Sequence, residues 1–201
     1  MTNRKEKKIN VRTITMTGLF GALSAVLMMF SFNVPLMPSF IKIDFSELPA
    51  LIAAFSMGPL SGVMVCLVKN LINLMFSTTG GVGELSNFIL GCAFVMPAGL
   101  VYKKNKNKKS AFVGALLGAV IMAVFSVFSN YFVVYPVYTM FMPMEAILGM
   151  YQAIYSGIDN LLEALIIFNM PFTFIKGMCS VLITFIIYKH ISPIIKGTNK
   201  Y

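Results

Sequence analysis

Lysines and asparagines stand inside long apolar stretches of this chain, where hydrocarbon side chains would be the ordinary choice. Lys69, Asn70 and Asn73 interrupt one stretch, Lys176 another, and Asn87 and Asn130 two more. Lys42, Asp44 and Glu47 occupy a polar segment between the first two stretches. The lysines and asparagines suit recognition: an ammonium offers three donors, and a carboxamide offers donors and an acceptor at once. Asn130, within Phe128-Ser129-Asn130-Tyr131-Phe132, could meet the edge of a heterocycle bearing amide groups. Its other reading is a helix–helix hydrogen bond worth about 0.6 kcal/mol. Asn87 has the same two readings. A lysine at the middle of a bilayer costs about 2.5–3.5 kcal/mol, so it faces a protein interior or a cavity. Near a helix end it snorkels to the headgroups instead. Lys176 fits a binding or structural-polar role better than snorkelling, whereas Lys69 is balanced between them.

Covalent catalysis is poorly served. His190 is the single histidine, which excludes the HExxH metal site, and nothing marks a serine as its nucleophilic partner. Asp44 and Glu47 are spaced i, i+3 in a loop, where water could simply solvate them. Cys66, Cys92 and Cys179 are odd in number, lie in apolar segments and read as small buried hydrophobes. No GxxxxGK[ST] loop occurs, so ATP hydrolysis by that route is not encoded here.

The elements that must position these groups are membrane helices. The chain is 58% hydrophobic and 11% charged, against about 25% charged in soluble domains. Thirteen of the sixteen Lys and Arg residues form three clusters: the N-terminus (Arg4, Lys5, Lys7, Lys8, Arg12), one loop (Lys103, Lys104, Lys106, Lys108, Lys109) and the C-terminus (Lys189, Lys196, Lys200). Six of the seven acids avoid them. This is positive-inside sorting. The net charge of +9 lacks an interleaved aromatic platform, so it points to anionic membrane lipid and not to nucleic acid.

The runs predict an all-α integral membrane domain with six crossings, at about Arg12–Phe32, Leu48–Met57, Leu60–Phe76, Leu85–Tyr102, Ala111–Tyr135 and Asn169–His190. Residues 1–201 form one membrane domain: a basic cytoplasmic tail over 1–11, a transmembrane core over 12–190 and a cytoplasmic tail over 191–201. Gly58-Pro59 breaks the second segment from the third. Asn33–Glu47 is a long external loop, Ser77–Glu84 a glycine-rich one, and Lys103–Lys109 the basic internal one. Pro136–Phe168 is a structured external loop with helices at Met144–Tyr155 and Asp159–Phe168, Asp159 as N-cap and Gly157 as a break; a further span is the alternative. Both termini then lie in the cytoplasm of a bacterial cell, with the chain in its plasma membrane. In segment one, Gly18/Ala22 and Gly21/Ala25 are small-xxx-small pairs that allow close approach of another helix, within the chain or on another subunit.

The string Phe40-Ile41-Lys42-Ile43-Asp44-Phe45-Ser46-Glu47-Leu48-Pro49-Ala50-Leu51 resembles the first-loop signature of S components of energy-coupling factor (ECF) vitamin transporters, most closely the riboflavin-specific branch. Gly58-Pro59-Leu60-Ser61-Gly62, Val68-Lys69-Asn70-Leu71, Gly83-Glu84-Leu85-Ser86-Asn87-Phe88 and Pro171-Phe172-Thr173-Phe174-Ile175-Lys176-Gly177 follow in matching order. The resemblance implies a six-helix protein that captures riboflavin outside as a transported ligand, with no cofactor. It implies as partners a transmembrane coupling subunit and two ATPases. It places Asn130 and Lys176 at the flavin, with Ile41, Lys42, Ile43 and Asp44 closing over it and Thr173 where the family often has asparagine. Docking on the coupling subunit would use Gly18/Ala22 or Gly21/Ala25. The alternatives are an S component for another vitamin or precursor, such as thiamine or pantothenate, and a small polytopic membrane enzyme.

Overall fold

The computed structural model describes residues 11–35, 37–38, 41–77 and 80–196, with side chains to Tyr188. The N-terminal basic cluster up to Asn10, Phe40 of the loop motif, the terminal 197–201 and the side chains of Lys189, His190 and Lys196 lie outside the described residues.

Most of the described residues are helical. Helix α1 (Val11–Met29) leads into a short antiparallel pair, β1 (Phe32–Asn33) and β2 (Lys42–Ile43), with Phe32 opposite Ile43 and Asn33 opposite Lys42. Then come α2 (Glu47–Met57), α3 (Pro59–Leu74), α4 (Val82–Lys104) and α5 (Lys108–Ser129). A π-helical turn, Asn130–Val134, carries α5 into α6 (Tyr135–Tyr138). After α7 (Met144–Gln152), α8 (Leu161–Ala164) passes through a second π turn, Leu165–Asn169, into α9 (Met170–Lys196).

Among the described residues, four helical stretches are long and apolar enough to cross a membrane: Val11–Met29, Val82–Lys104, Lys108–Tyr138 and Leu161–Tyr188. The two shorter apolar helices are α2 and α3. Helix α2 is the axis of the fold. Every residue from Glu47 to Phe55 is buried, because α1, α3, α4 and α9 surround it. It ends at Gly58, whose φ of +108° favours glycine, and Pro59 opens α3 where its missing N–H costs nothing. Outside this core, Leu19, Leu71, Phe125 and Ile186 are exposed, the surface that hydrocarbon rather than water would cover.

Several boundaries differ from the sequence reading. The last span begins at Leu161, not Asn169, and the preceding one runs past Tyr135 to Tyr138, because a π turn lets each helix absorb an extra residue without stopping. Asn160, not Asp159, is the N-cap: its side chain accepts from the Glu163 N–H at 2.9 Å, while Glu163 reaches back to the Asp159 N–H at 3.0 Å. The helix expected over Met144–Tyr155 stops at Gln152, and Gly157 lies in the turn that follows. The basic loop shrinks to residues 105–107, since α4 and α5 extend into it and Asn107 caps α5 through the Ser110 N–H. Helix α4 starts at Val82, so Glu84 stands in its first turn and accepts from Ser77 Oγ at 2.7 Å.

Close packing of α4 on α5 rests on glycine. A β-carbon at Gly114 would lie 2.8 Å from the Ala98 carbonyl oxygen, and one at Gly118 would overlap the Phe94 carbonyl oxygen. Backbone cannot yield as a side chain does. Gly118→Ala should therefore destabilise by about 1–3 kcal/mol, although alanine is the better helix former. Gly149→Ala, which meets nothing within 4 Å, should hold or raise stability. Thermal unfolding in detergent checks this; equal midpoints for the two variants would refute it.

Candidate ligand-binding site

Two acids and two lysines meet at the N-terminal end of α2. Lys69, on α3, has no exposed side-chain surface and donates to Glu47 Oε1 at 3.0 Å and Ser46 Oγ at 2.6 Å. Lys176, on α9, lies 2.9 Å from Asp44 Oδ2 and 3.3 Å from Glu47 Oε2. Glu47 thus bridges both ammonium groups, one with each oxygen. Asp44 is 5% and Glu47 2% exposed. The reading of these acids as solvated loop carboxylates is corrected: water is excluded, and each carboxylate is balanced by a lysine. Snorkelling is likewise not the role of either lysine, because both ammonium groups point to carboxylates.

Ser46 ties the cluster to its surroundings. Its N–H donates to Asp44 Oδ1 at 2.9 Å, and its carbonyl accepts from Ser24 Oγ of α1 at 2.7 Å. Asn73 adds a second link, donating to the Ala25 carbonyl at 3.2 Å. Burial alone would raise the Asp44 carboxyl, but Lys176, Lys69 and the Ser46 hydrogen bond outweigh it and hold the group down from 3.8 to about 2.

A second, uncharged polar group lies in a separate core of Val134, Tyr135, Ile147, Tyr151, Ile158, Ala164 and Leu165. The Tyr135 and Tyr151 hydroxyls hydrogen-bond each other, and Tyr151 donates to Asn169 Oδ1 at 2.7 Å. Burial pushes the Tyr151 phenol up, so it remains a neutral donor. Asn169 closes the second π turn. It shares a helix face with Thr173 and Lys176, at i, i+4 and i+7.

The loop joins the two groups. Ile41 packs on the aromatic core while Asp44 holds Lys176. Ile43 is half-buried and Lys42 exposed beside it on β2. Asn130 opens the first π turn and is half-buried, as is Thr173. Asn87 adjoins Ser86, whose hydroxyl shares a 2.8 Å hydrogen bond with Ser129, the neighbour of Asn130. Oδ1 of Asn87 and of Asn70 are buried acceptors with no partner. The structure therefore brings Ile41, Asp44 and Lys176 into one assembly; for Asn87, Asn130 and Thr173 it gives adjacent elements.

Glu47, Ser46, Tyr135, Tyr151 and Asn169 were absent from the sequence-predicted set. A signal existed for Glu47: two acids at i, i+3 balance, equal in number and opposite in sign, the two lysines left inside apolar helices. The small-residue pairs also separate. Gly21 and Ala25 are buried, with a β-carbon at Gly21 falling 2.5 Å from Val68 Cγ1, so they pack inside the chain. Gly18 and Ala22 are exposed. At the far end of α2, a 290 Å³ cavity lined by Met57–Leu60, Gly99, Tyr102, Lys103 and Lys106 contains none of the predicted residues.

Residues 12–188 match the family "ECF transporter, substrate-specific component". The riboflavin transporter RibU of Staphylococcus aureus is 32% identical over 188 residues, covering 93% of each chain. The riboflavin transporter FmnP of Bacillus subtilis is 30% identical over 190 residues, 92% of this chain and 94% of that one. A solved S component of a bacterial ECF transporter superposes with a TM-score of 0.72 at 30% identity, covering 92% of this chain and 98% of its own.

Asp44 makes the loop anchor sensitive to acid. Its carboxyl is lower in the folded chain, so its stabilisation is complete above pH 3.8 and is lost as pH falls towards 2. Hydrogen exchange of the Ser46 amide should be flat from about pH 7 to pH 4, after correction for intrinsic rates, and lose protection below. Asp44→Asn should remove that acid limb; an unchanged limb would refute the assignment.

Proposed function

We propose, because this chain belongs to the family of ECF transporter substrate-specific components, that it is the riboflavin-binding subunit of an ATP-driven vitamin uptake transporter. The observation that carries the reading is the state of Lys176. Two of its three N–H donors are directed at Asp44 and Glu47, and its side chain keeps 12% exposure. It is a charge-balanced cation with one donor left for a ligand carbonyl.

Isoalloxazine has carbonyls and an imide edge, and its faces suit aliphatic and aromatic side chains. Lys176, Thr173, Asn130 and Asn87 supply the polar complement, and the loop Ile41–Asp44 supplies a cover already anchored at both ends. The relatives reported above are riboflavin transporters, which favours this vitamin over thiamine or pantothenate, and transport over catalysis.

The charge sorting supports six crossings, with both termini and the basic loop in the cytoplasm and the loop Asn33–Glu47 outside. Helices α2 and α3 count as crossings although they are short: α2 is sheathed by other helices and need not match the lipid thickness. The coupling subunit and two ATPases are then separate chains. Gly18 and Ala22, small and exposed on α1, form the docking face.

Purification in mild detergent from riboflavin-containing medium should give a yellow protein that quenches flavin fluorescence. Lys176→Ala and Asn130→Ala should each weaken binding by about tenfold or more while leaving membrane insertion intact. A colourless preparation that does not quench added riboflavin would sink the assignment. Ala22→Leu should block co-purification with the ATPase subunits without changing riboflavin affinity. Intact assembly in that variant would place docking elsewhere.

A further inference from the structure

Lys69 is the most enclosed charge among the described residues, and the flavin reading leaves it without a task. It cannot meet a ligand, because its side chain has no exposed surface. Its ammonium instead fixes one oxygen of Glu47, the carboxylate whose other oxygen lies 3.3 Å from Lys176. The two anions around Lys176 differ in kind. Asp44 belongs to the loop, whereas Glu47 lies in the first turn of α2, the helix that α1, α3, α4 and α9 pack against. There the positive end of the helix dipole favours its charge.

We propose that Glu47 and Lys69 are positioning residues for ligand recognition, holding the Lys176 ammonium at its place through a carboxylate locked to the protein core. This rests on the reading that Lys176 meets the ligand. Lys69 fixes the rotamer of Glu47, Glu47 presents Oε2 to Lys176, and Lys176 is left with one direction for its remaining donor. Ser46 takes part as well, since its hydroxyl accepts from Lys69 and lies 3.5 Å from Glu47 Oε2. A two-lysine, two-carboxylate set is neutral as a whole. Losing Lys69 alone leaves an excess buried anion that draws Lys176 inward, and losing the Glu47 charge alone leaves an excess cation.

The test separates positioning from stability. Riboflavin affinity, measured by fluorescence quenching, and thermal midpoint are compared for Lys69→Met, Glu47→Gln, the pair combined, Lys69→Arg and Lys176→Met. Each of the first two should lose affinity by about tenfold or more and also lose stability. The combined variant restores neutrality, so its midpoint should recover towards wild type. Its affinity should not recover, because the anchor for Lys176 is gone. Lys69→Arg, which keeps the cation, should retain more affinity than Lys69→Met. Recovery of affinity together with stability in the combined variant would reduce the pair to charge balance and overturn the proposal. If Lys69→Met does not fold, Glu47→Gln and the combined variant decide the matter by the same comparison. Wild-type affinity in Lys176→Met would overturn the flavin-site reading itself, and this inference with it. Weak binding in Lys176→Met beside wild-type binding in Glu47→Gln overturns this inference alone.

Discussion

Four charges removed from water at one place constrain everything around them. Each buried ion carries an effective desolvation penalty of several kcal/mol, offset only when partners are close and remaining hydrogen-bond positions are filled. Here the offset requires one group from the loop, one from α2, one from α3 and one from α9. None of these elements can shift alone without leaving a charge unpaired. The cluster is therefore weak evidence for high stability, and its effect is to penalise any mispacked alternative that leaves an ion uncompensated.

That constraint explains details that packing alone would not. The loop after α1 folds back as a two-residue ladder and then turns through Asp44, whose side chain accepts from the Ser46 N–H. Asp44 thereby faces α9, and Glu47 is delivered to the start of α2. The neutral tyrosine–asparagine group sits in a different core, held by hydroxyl and amide hydrogen bonds that carry no net charge. Separating ionic from neutral polar groups lets each be satisfied within its own surroundings. Among the described residues of the loop motif, Ile41, an apolar one, packs against the second core.

Charge sorting along the chain was enough to isolate Lys42, Lys69 and Lys176 as anomalies, and the i, i+3 spacing of Asp44 and Glu47 was visible beside them. Their pairing was not, because Lys176 and Asp44 are 132 residues apart and hydropathy carries no long-range information. The helix ends failed for a different reason. A π turn keeps the backbone helical while breaking the 3.6-residue period, so the last two spans extend beyond the stretches that periodicity marks. Small-residue pairs failed differently again. Gly18/Ala22 and Gly21/Ala25 have identical spacing, and lipid and protein interior are equally apolar, so only the observed contact of Gly21 with Val68 tells them apart.

The shortness of α2 is the step that connects the fold to the site. Eleven residues rise about 16 Å, roughly half of a hydrocarbon core of about 30 Å. A helix at the centre of a bundle is shielded from lipid, so nothing forces it to match the membrane. Its surrounding helices are longer, and the space beyond each of its ends must be filled by something else. At the Met57 end the filling is incomplete, and a cavity remains beside Gly58, Tyr102 and Lys103. At the Glu47 end it is filled by the ion cluster, with the returning loop bearing on it through Asp44. Lengthening α2 by one turn at that end would drive backbone into the space where Lys69 and Lys176 meet their carboxylates. A short central helix and a buried charged site are thus the same feature seen from two sides.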